Sequence, residues 1–226
     1  MCGRYRLSAT EYLEEVFEAE ASEVPQPRYN IAPSQPVQIV RGDNGRRVLV
    51  SVRWGLVPFW AKDLSIGYRM INARSETVLS KPAFREAFAT RRCLIPADGF
   101  YEWKRLGSLK QPFHFGMKDN SLFAFAGLWD RWGSPDAAVV ESCTILTTTA
   151  NELVRDVHDR MPVILHPSHY QAWLVAPPAQ ARSFIKFLVP FDPDLIRRYQ
   201  VTRLVNNPRN DTLDCIKGKE EPCNVV

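Results

Sequence analysis

The chain has 226 residues, is 45% hydrophobic and 24% charged, and carries a formal net charge of +4. Such a composition can bury a full core and excludes a charge-dominated, disordered chain. No run of about 18 apolar residues is present, which excludes a membrane-spanning helix, and the amino terminus lacks the apolar stretch of a signal peptide, so a cytoplasmic protein is expected.

Ser8-Ala9-Thr10-Glu11 reads as a capping box opening a helix, with Ala9, Leu13, Val16 and Phe17 on its apolar face. Val37–Arg41 and Val48–Trp54 flank a Gly-Asp-Asn-Gly turn and predict a β-hairpin. A short helix is expected after Ser80, with Pro82 in its first turn. Strand-like runs follow at Arg92–Pro96, Phe100–Lys104, Phe113–Met117, Leu122–Trp129 and Ser142–Thr147. Thr149-Ala150-Asn151-Glu152 is a second capping box, for a helix to about Val157. Met161–Leu165 reads as a strand, and Ser168–Leu174 and Ala179–Leu188 as helices. There is no internal repeat, low-complexity segment or linker. Strands dominate the middle without βαβ regularity. The expectation is one α+β domain over residues 1–226, with an antiparallel or partly closed sheet as core and helices flanking it.

The five cysteines, Cys2, Cys93, Cys143, Cys215 and Cys223, form no CxxC pair, so neither a disulfide framework nor a metal site is indicated. Cys93 and Cys143 lie in apolar strand runs and read as core. Residues 1–26 carry a net −4, leaving +8 on the remainder. A basic body suits a phosphate backbone, and equally an ordinary solvated surface. Cys2 is the unusual one. If Met1 is removed, Cys2 carries an α-amine and a thiol on adjacent carbons, with ordinary pKa values of about 7.7–8.0 and about 8.5. An amine condenses with an aldehyde to an imine, onto which the thiolate can close a thiazolidine ring. A thiolate can alternatively attack an amide or ester with the amine as base.

Four further segments hold more polar or aromatic residues than packing requires. In Met70-Ile71-Asn72-Ala73-Arg74-Ser75-Glu76, an extended backbone puts Asn72 and Arg74 on one side. The pair suits an oxygen and a phosphate, or is a strand end with an Arg–Glu pair. In Asp98-Gly99-Phe100-Tyr101-Glu102-Trp103, Glu102 sits among aromatics. Desolvation there would raise its pKa toward the acid–base range, unless it faces solvent opposite an apolar face. His158, in Asp156-Val157-His158-Asp159-Arg160, titrates near neutrality and precedes a cation suited to phosphate; it also reads as a helix C-terminal histidine. Phe59 and Trp60 follow Pro58 at a loop tip, where they suit base stacking or wedging, or pack as core. His114, His166 and His169 have no such company and read as structural.

Taken in order, Cys2-Gly3-Arg4, Arg28-Tyr29-Asn30-Ile31-Ala32-Pro33, Arg53-Trp54-Gly55-Leu56, Ile71-Asn72-Ala73-Arg74-x-Glu76, Pro96-Ala97-Asp98-Gly99-Phe100-Tyr101-Glu102-Trp103 and His158-Asp159-Arg160-Met161-Pro162 closely resemble the SOS-response-associated peptidase (SRAP) family, over nearly the whole chain to about Arg209. The resemblance implies a cofactor-free, metal-free monomer that binds single-stranded DNA containing abasic sites. It implies a thiazolidine crosslink from Cys2 to the ring-opened sugar, after loss of Met1 by autoproteolysis or an aminopeptidase, with weak lyase activity from any imine that escapes ring closure. By the same resemblance Glu102 is the main acid–base group, His158 assists sugar opening and Asn72 positions the sugar. Arg4, Arg74 and Arg160 are expected on phosphates, Phe59 and Trp60 against bases, and Asn30, Pro33 and Trp103 along the DNA path. A DNA-repair role in the cytoplasm, on the nucleoid when DNA-bound, follows, in a bacterial or phage-type member without the long tail of eukaryotic ones. Two other classes are an amidohydrolase in which Cys2 attacks a glutamine amide, and a non-catalytic single-strand binder with an inert Cys2.

Overall fold

The computed structural model describes residues 2–133 and 138–218; Met1 and Cys223 lie outside them. Among these residues the strands are β1 (Tyr5–Leu7), β2 (Glu20–Ala21), β3 (Arg28–Ile31), β4 (Pro36–Asp43), β5 (Arg46–Trp54), β6 (Asn72–Arg74) and β7 (Arg92–Ala97), then β8 (Gly99–Leu106), β9 (Leu109–Met117), β10 (Phe123–Trp132), β11 (Val140–Thr149), β12 (Arg160–Pro162), β13 (Ile164–Leu165) and β14 (Ile196–Gln200). The α-helices are short: α1 (Leu13–Phe17), α2 (Arg85–Thr90), α3 (Glu152–Arg155) and α4 (Tyr170–Val175). No helix among the described residues is long and apolar enough to cross a membrane.

One sheet runs β14-β9-β8-β1-β3, antiparallel throughout. In the other, the order β11-β10-β7-β4-β5 closes on itself, because β5 pairs parallel with β11 through Arg53↔Ser142 and Trp54↔Cys143. The α+β, partly closed architecture expected from the sequence is present. The sheets share an aromatic core: Tyr5 of β1 meets Trp54 at 5.3 Å and Phe125 at 5.7 Å between ring centroids, and Phe100 stacks on Phe115 at 4.9 Å. Cys93 and Cys143 are fully buried in this core.

Successive side chains on a strand point to opposite faces, and β8 is buried on both. Phe100 joins the main core. Tyr101 enters a second cluster with Val201, Val205 and Cys215, built by the C-terminal segment 201–216. That segment is a strap, tied down by Asn30 and Asp211. Asn30 Nδ2 donates to the carbonyls of Val205, Asn207 and Asn210. Asp211 Oδ1 accepts from the amides of Tyr29 and Asn30, while its Oδ2 pairs with Arg28.

Several local expectations are corrected. Ser8 does not cap a helix: its hydroxyl and amide both donate to Asp98 Oδ2, at 2.7 and 2.8 Å. The chain instead enters a 3-10 turn at Thr10–Tyr12 without a side-chain cap, before α1, and Val16 is exposed rather than on the apolar face. The helix placed after Ser80 begins at Arg85, beyond Pro82. The cap of α3 is Asn151, whose Oδ1 accepts from the Val154 amide, not Thr149, and α3 ends at Arg155. Pro178–Phe187 is 3-10 rather than α.

Candidate functional site

The site forms where β1 enters beside β8. Tyr5 pairs with Phe100 and Arg6 with Gly99, and the Tyr101 amide donates to the Arg4 carbonyl at 3.0 Å. The printed pairing of β1 with β8 begins at Tyr5, and ahead of it Cys2 packs into the main core cluster that also holds Tyr5 and Phe100. Glu102 lies on the Phe100 side of the pleat, which explains its burial: only 3% of its surface is exposed. The outward-facing alternative is thereby settled. Burial pushes its carboxyl up to about 7, where it can both give and accept a proton at neutral pH.

Cys2 is fully buried. Burial first, and the Glu102 charge second, push its thiol well above the ordinary range. Its Sγ lies 4.0 Å from the Arg4 carbonyl, a weak contact. Asn72 Nδ2 donates to the Cys2 carbonyl at 2.8 Å, and Asn72 Oδ1 is buried with no hydrogen-bond partner among the described residues. Asn72 reaches this point because β6 runs parallel to β11, with Asn72 beside Ile145.

His158 follows α3, its amide donating to the Val154 carbonyl at 2.9 Å. Its Nδ1 accepts from the Arg160 amide at 3.0 Å and lies 2.9 Å from Asp159 Oδ1. These contacts need different protonation states. An Nδ1 lone pair that accepts an N–H cannot also donate to a carboxylate. Desolvation lowers the His158 pKa, so the neutral ring with its proton on Nε2 is the consistent state, and the approach to Asp159 is not an ion pair at neutral pH.

A cleft of about 450 Å³ is lined by Arg4, Glu102, Trp103, Arg105, Lys110, His158 and Asn206. Trp103 lies on the strap side of β8 and donates its Nε1 proton to Asn206 Oδ1 at 2.6 Å. Arg4 Nη1 donates to Asn30 Oδ1 and to the Val205 carbonyl, both at 2.7 Å, and its guanidinium lies 5.6 Å from the Trp103 ring. Asn30 is wholly buried, with every side-chain polar atom engaged inside the protein, so it supports the cleft through Arg4 and the strap.

The remaining expected residues lie outside the cleft lining. Arg160 is held by Glu76, with Nη2 at 3.0 Å from Oε2, and by the Thr147 carbonyl at 2.7 Å. Arg74 is exposed at the end of β6, and no carboxylate partner is found for it among the described residues. Pro33 is half-buried in the turn that joins β3 to β4. Phe59 and Trp60 are 53% and 49% exposed, which removes the core-packing alternative for them. Three lining residues escaped the sequence reading. Arg105 and Lys110 face each other across the β8–β9 hairpin, and Asn206 belongs to the strap.

Comparison with known proteins identifies the family and the fold. The SOS response associated peptidase (SRAP) family matches residues 1–208. Abasic site processing protein YoaM of Bacillus subtilis is 44% identical over 224 residues, spanning 97% of this chain and 99% of its own. Abasic site processing protein HMCES of Xenopus tropicalis is 30% identical over 222 residues, spanning 84% of this chain and 66% of its own. A crystal structure of a protein from Bacteroides thetaiotaomicron superposes with a TM-score of 0.86 at 25% identity, covering 97% of this chain and all of that one.

Proposed function

This chain belongs to the SOS response associated peptidase family, and from that premise we propose that it processes abasic sites in DNA, joining the lesion covalently to Cys2 once Met1 has been removed. The observation that carries the reading is the convergence on Cys2: Glu102 raised to about 7 beside it and Asn72 bonded to its carbonyl.

The abasic sugar opens from hemiacetal to aldehyde, with the Nε2 proton of His158 assisting at the sugar oxygen. The Cys2 amine adds to C1′, and the carbinolamine loses water as Glu102 supplies a proton, leaving an imine. The Cys2 thiol then adds to the imine carbon. Its proton passes through Glu102 to the nitrogen, and the thiazolidine closes. The sum is aldehyde plus aminothiol giving ring plus water, with no redox partner. Asn72 holds the Cys2 backbone so that amine and thiol address one carbon. Arg4, Arg105 and Lys110 supply positive charge for phosphodiesters, with exposed Arg74 as a further contact. Trp103 offers a ring face, and Phe59 and Trp60 stack on neighbouring bases. Arg160, engaged by Glu76, acts by fixing the backbone that orients His158. In this reading the protein works as a cofactor-free monomer on single-stranded DNA in the cytoplasm, associated with the nucleoid when bound. Met1 leaves by autoproteolysis or through an aminopeptidase. An imine that escapes ring closure eliminates the 3′ phosphate, giving weak lyase activity.

The test is a denaturing gel after mixing protein whose first residue is Cys2 with a single-stranded oligonucleotide carrying one abasic site. A heat-stable adduct is expected, and it should vanish in Cys2→Ala and in protein with a residue ahead of Cys2. An adduct that persists with the amine blocked would overturn the mechanism. Glutamine hydrolysis without any adduct would shift the assignment to an amidohydrolase.

A further inference from the structure

The catalytic cleft does not end at Lys110. A second hollow of about 350 Å³ begins there, floored by Leu106 and Leu109 and bounded by Thr202 and Arg203. Two elements contribute to both spaces, the first of which is also lined by Arg4 and His158. One is the outer end of the β8–β9 hairpin, which gives Arg105 and Lys110 to the first space and Leu106, Leu109 and Lys110 to the second. The other is the strap, which gives Asn206 to the first and Val201–Arg203 to the second. The two hollows share Lys110, and taken together they make a furrow that leads from Glu102 toward the tip of the β8–β9 hairpin. From Glu102 to Leu106 it extends ~13 Å at ~3.3 Å per strand residue, the length of several stacked nucleotides at ~3.4 Å each.

The furrow's chemistry is uniform. Arg105, Lys110 and Arg203 are exposed, and among the described residues none of them has a carboxylate partner. Asp214, the acid beside Thr202, is already paired with Lys217 at 2.6 Å. Leu106 and Leu109 are 53% and 55% exposed, an apolar surface that water gains nothing by covering. Unpaired cations beside an apolar floor match what an unpaired nucleic-acid strand presents, with phosphates along one edge and base faces along the other.

We infer that this furrow is an exit subsite for the nucleotides on one side of the lesion, with Lys110 and Arg203 on their phosphates and Leu106 and Leu109 under their bases. The inference rests on the proposed abasic-site reading and extends it: the protein grips its strand asymmetrically, more strongly on the side that follows the hairpin.

The probe is a single-stranded oligonucleotide with a tetrahydrofuran abasic analogue, which binds without forming an aldehyde. It is made with the lesion at the 5′ end, at the 3′ end, or central. Wild-type protein should bind the central-lesion strand and one of the two end-lesion strands more tightly than the other. The variant carrying Lys110→Ala and Arg203→Ala, checked for an unchanged melting transition, should lose that asymmetry. Two phosphate contacts to a single strand contribute ~1.4 to the slope of log K against log salt. Between 50 and 200 mM salt the wild type should therefore weaken about sevenfold more than the variant. Leu109→Asp should remove the asymmetry by a separate route, through the apolar floor. Equal salt slopes and an asymmetry that survives in the variants would overturn the subsite, even with the crosslink to an authentic abasic site intact. A normal asymmetry with no crosslink to an authentic site would instead retain the subsite and overturn the covalent reading.

Discussion

Glu102→Gln should make the protein more stable at alkaline pH, and the gain should grow with pH in a defined window. Glu102 is 3% exposed, and burial raises its carboxyl from an ordinary 4.5 to about 7. Between those values the folded protein keeps a proton that the unfolded chain has released. The carboxyl's contribution to stability is therefore fully present below pH 4.5 and is lost as pH rises through 7. At about 1.36 kcal/mol per pH unit the loss comes to about 3 kcal/mol by pH 8 to 9. Glutamine has the same shape and no titration, so urea unfolding free energies of the two proteins, subtracted pH by pH, should diverge by that amount between pH 5 and 8.5. The subtraction is needed because the lowered pKa of His158 works in the opposite sense, adding stability as pH rises. Parallel curves would show that the carboxyl is not held in its raised state, and the acid–base role assigned to it would fall with them.

Asn72→Ala should slow adduct formation by up to about tenfold while leaving oligonucleotide affinity nearly constant, since one hydrogen bond to the Cys2 carbonyl is lost; single-turnover gels against a binding titration separate the two. Gly99→Ala should destabilise by about 1–3 kcal/mol, because a Cβ there would lie 2.1 Å from His114 Nε2. The double variant with His114→Ala should cost less than the sum of the singles, by at least about 1 kcal/mol in denaturation. Asp211→Ala should loosen the strap, seen as faster tryptic cleavage near Arg203 and Arg209, with Asp211→Asn milder because an Oδ acceptor remains for the Tyr29 and Asn30 amides. Cys2→Ser, with the serine amine free, should still form an imine that borohydride traps, but with little heat-stable adduct and more strand cleavage.

The sequence carried local structure well where local chemistry decides it. Asn44-Gly45 dictates the β4–β5 hairpin, since both residues take positive φ, 47° and 83°, as the tight turn requires. The runs that became β7, β8, β10 and β11 were visible as apolar strands. What was hidden depends on distant partners. β1 has three residues and β14 five, and neither is recognisable until β8 and β9 pair with them. The β5–β11 contact that closes the second sheet has no local signature. The Ser8 capping box failed because Asp98, 90 residues away, took the hydroxyl. At the site, Glu102 and His158 stood out because charged or titrating groups amid aromatics or beside a strand call for an explanation. Arg105 and Lys110 read as ordinary hairpin charges, and the segment from Val201 to Ile216 has no periodicity to announce that it walls a cleft.

The pattern of pKa values also orders the proposed reaction. In the full-length chain burial and the charge of Glu102 hold the Cys2 thiol well above the ordinary range, and a thiol that keeps its proton is a poor first nucleophile. A free amine with an ordinary pKa of about 7.7–8.0 keeps a reactive fraction at that pH, and it needs no neighbouring base to begin. Amine attack therefore comes first. Forming the imine then changes what the thiol faces: a protonated iminium carbon is a strong electrophile, and the adjacent carboxylate is positioned to take the thiol proton as sulfur adds. Glu102 serves twice with one pKa, as an acid for the departing water and as a base for the thiol, which is why a value near 7 suits both steps better than the ordinary 4.5. An amidohydrolase built on the same residues would need the opposite arrangement, a thiol lowered by a neighbouring cation and ready before substrate arrives. In the full-length chain the burial of Cys2 and the charge of Glu102 both push the thiol the other way, a sense that suits an aldehyde better than an amide as the partner of Cys2.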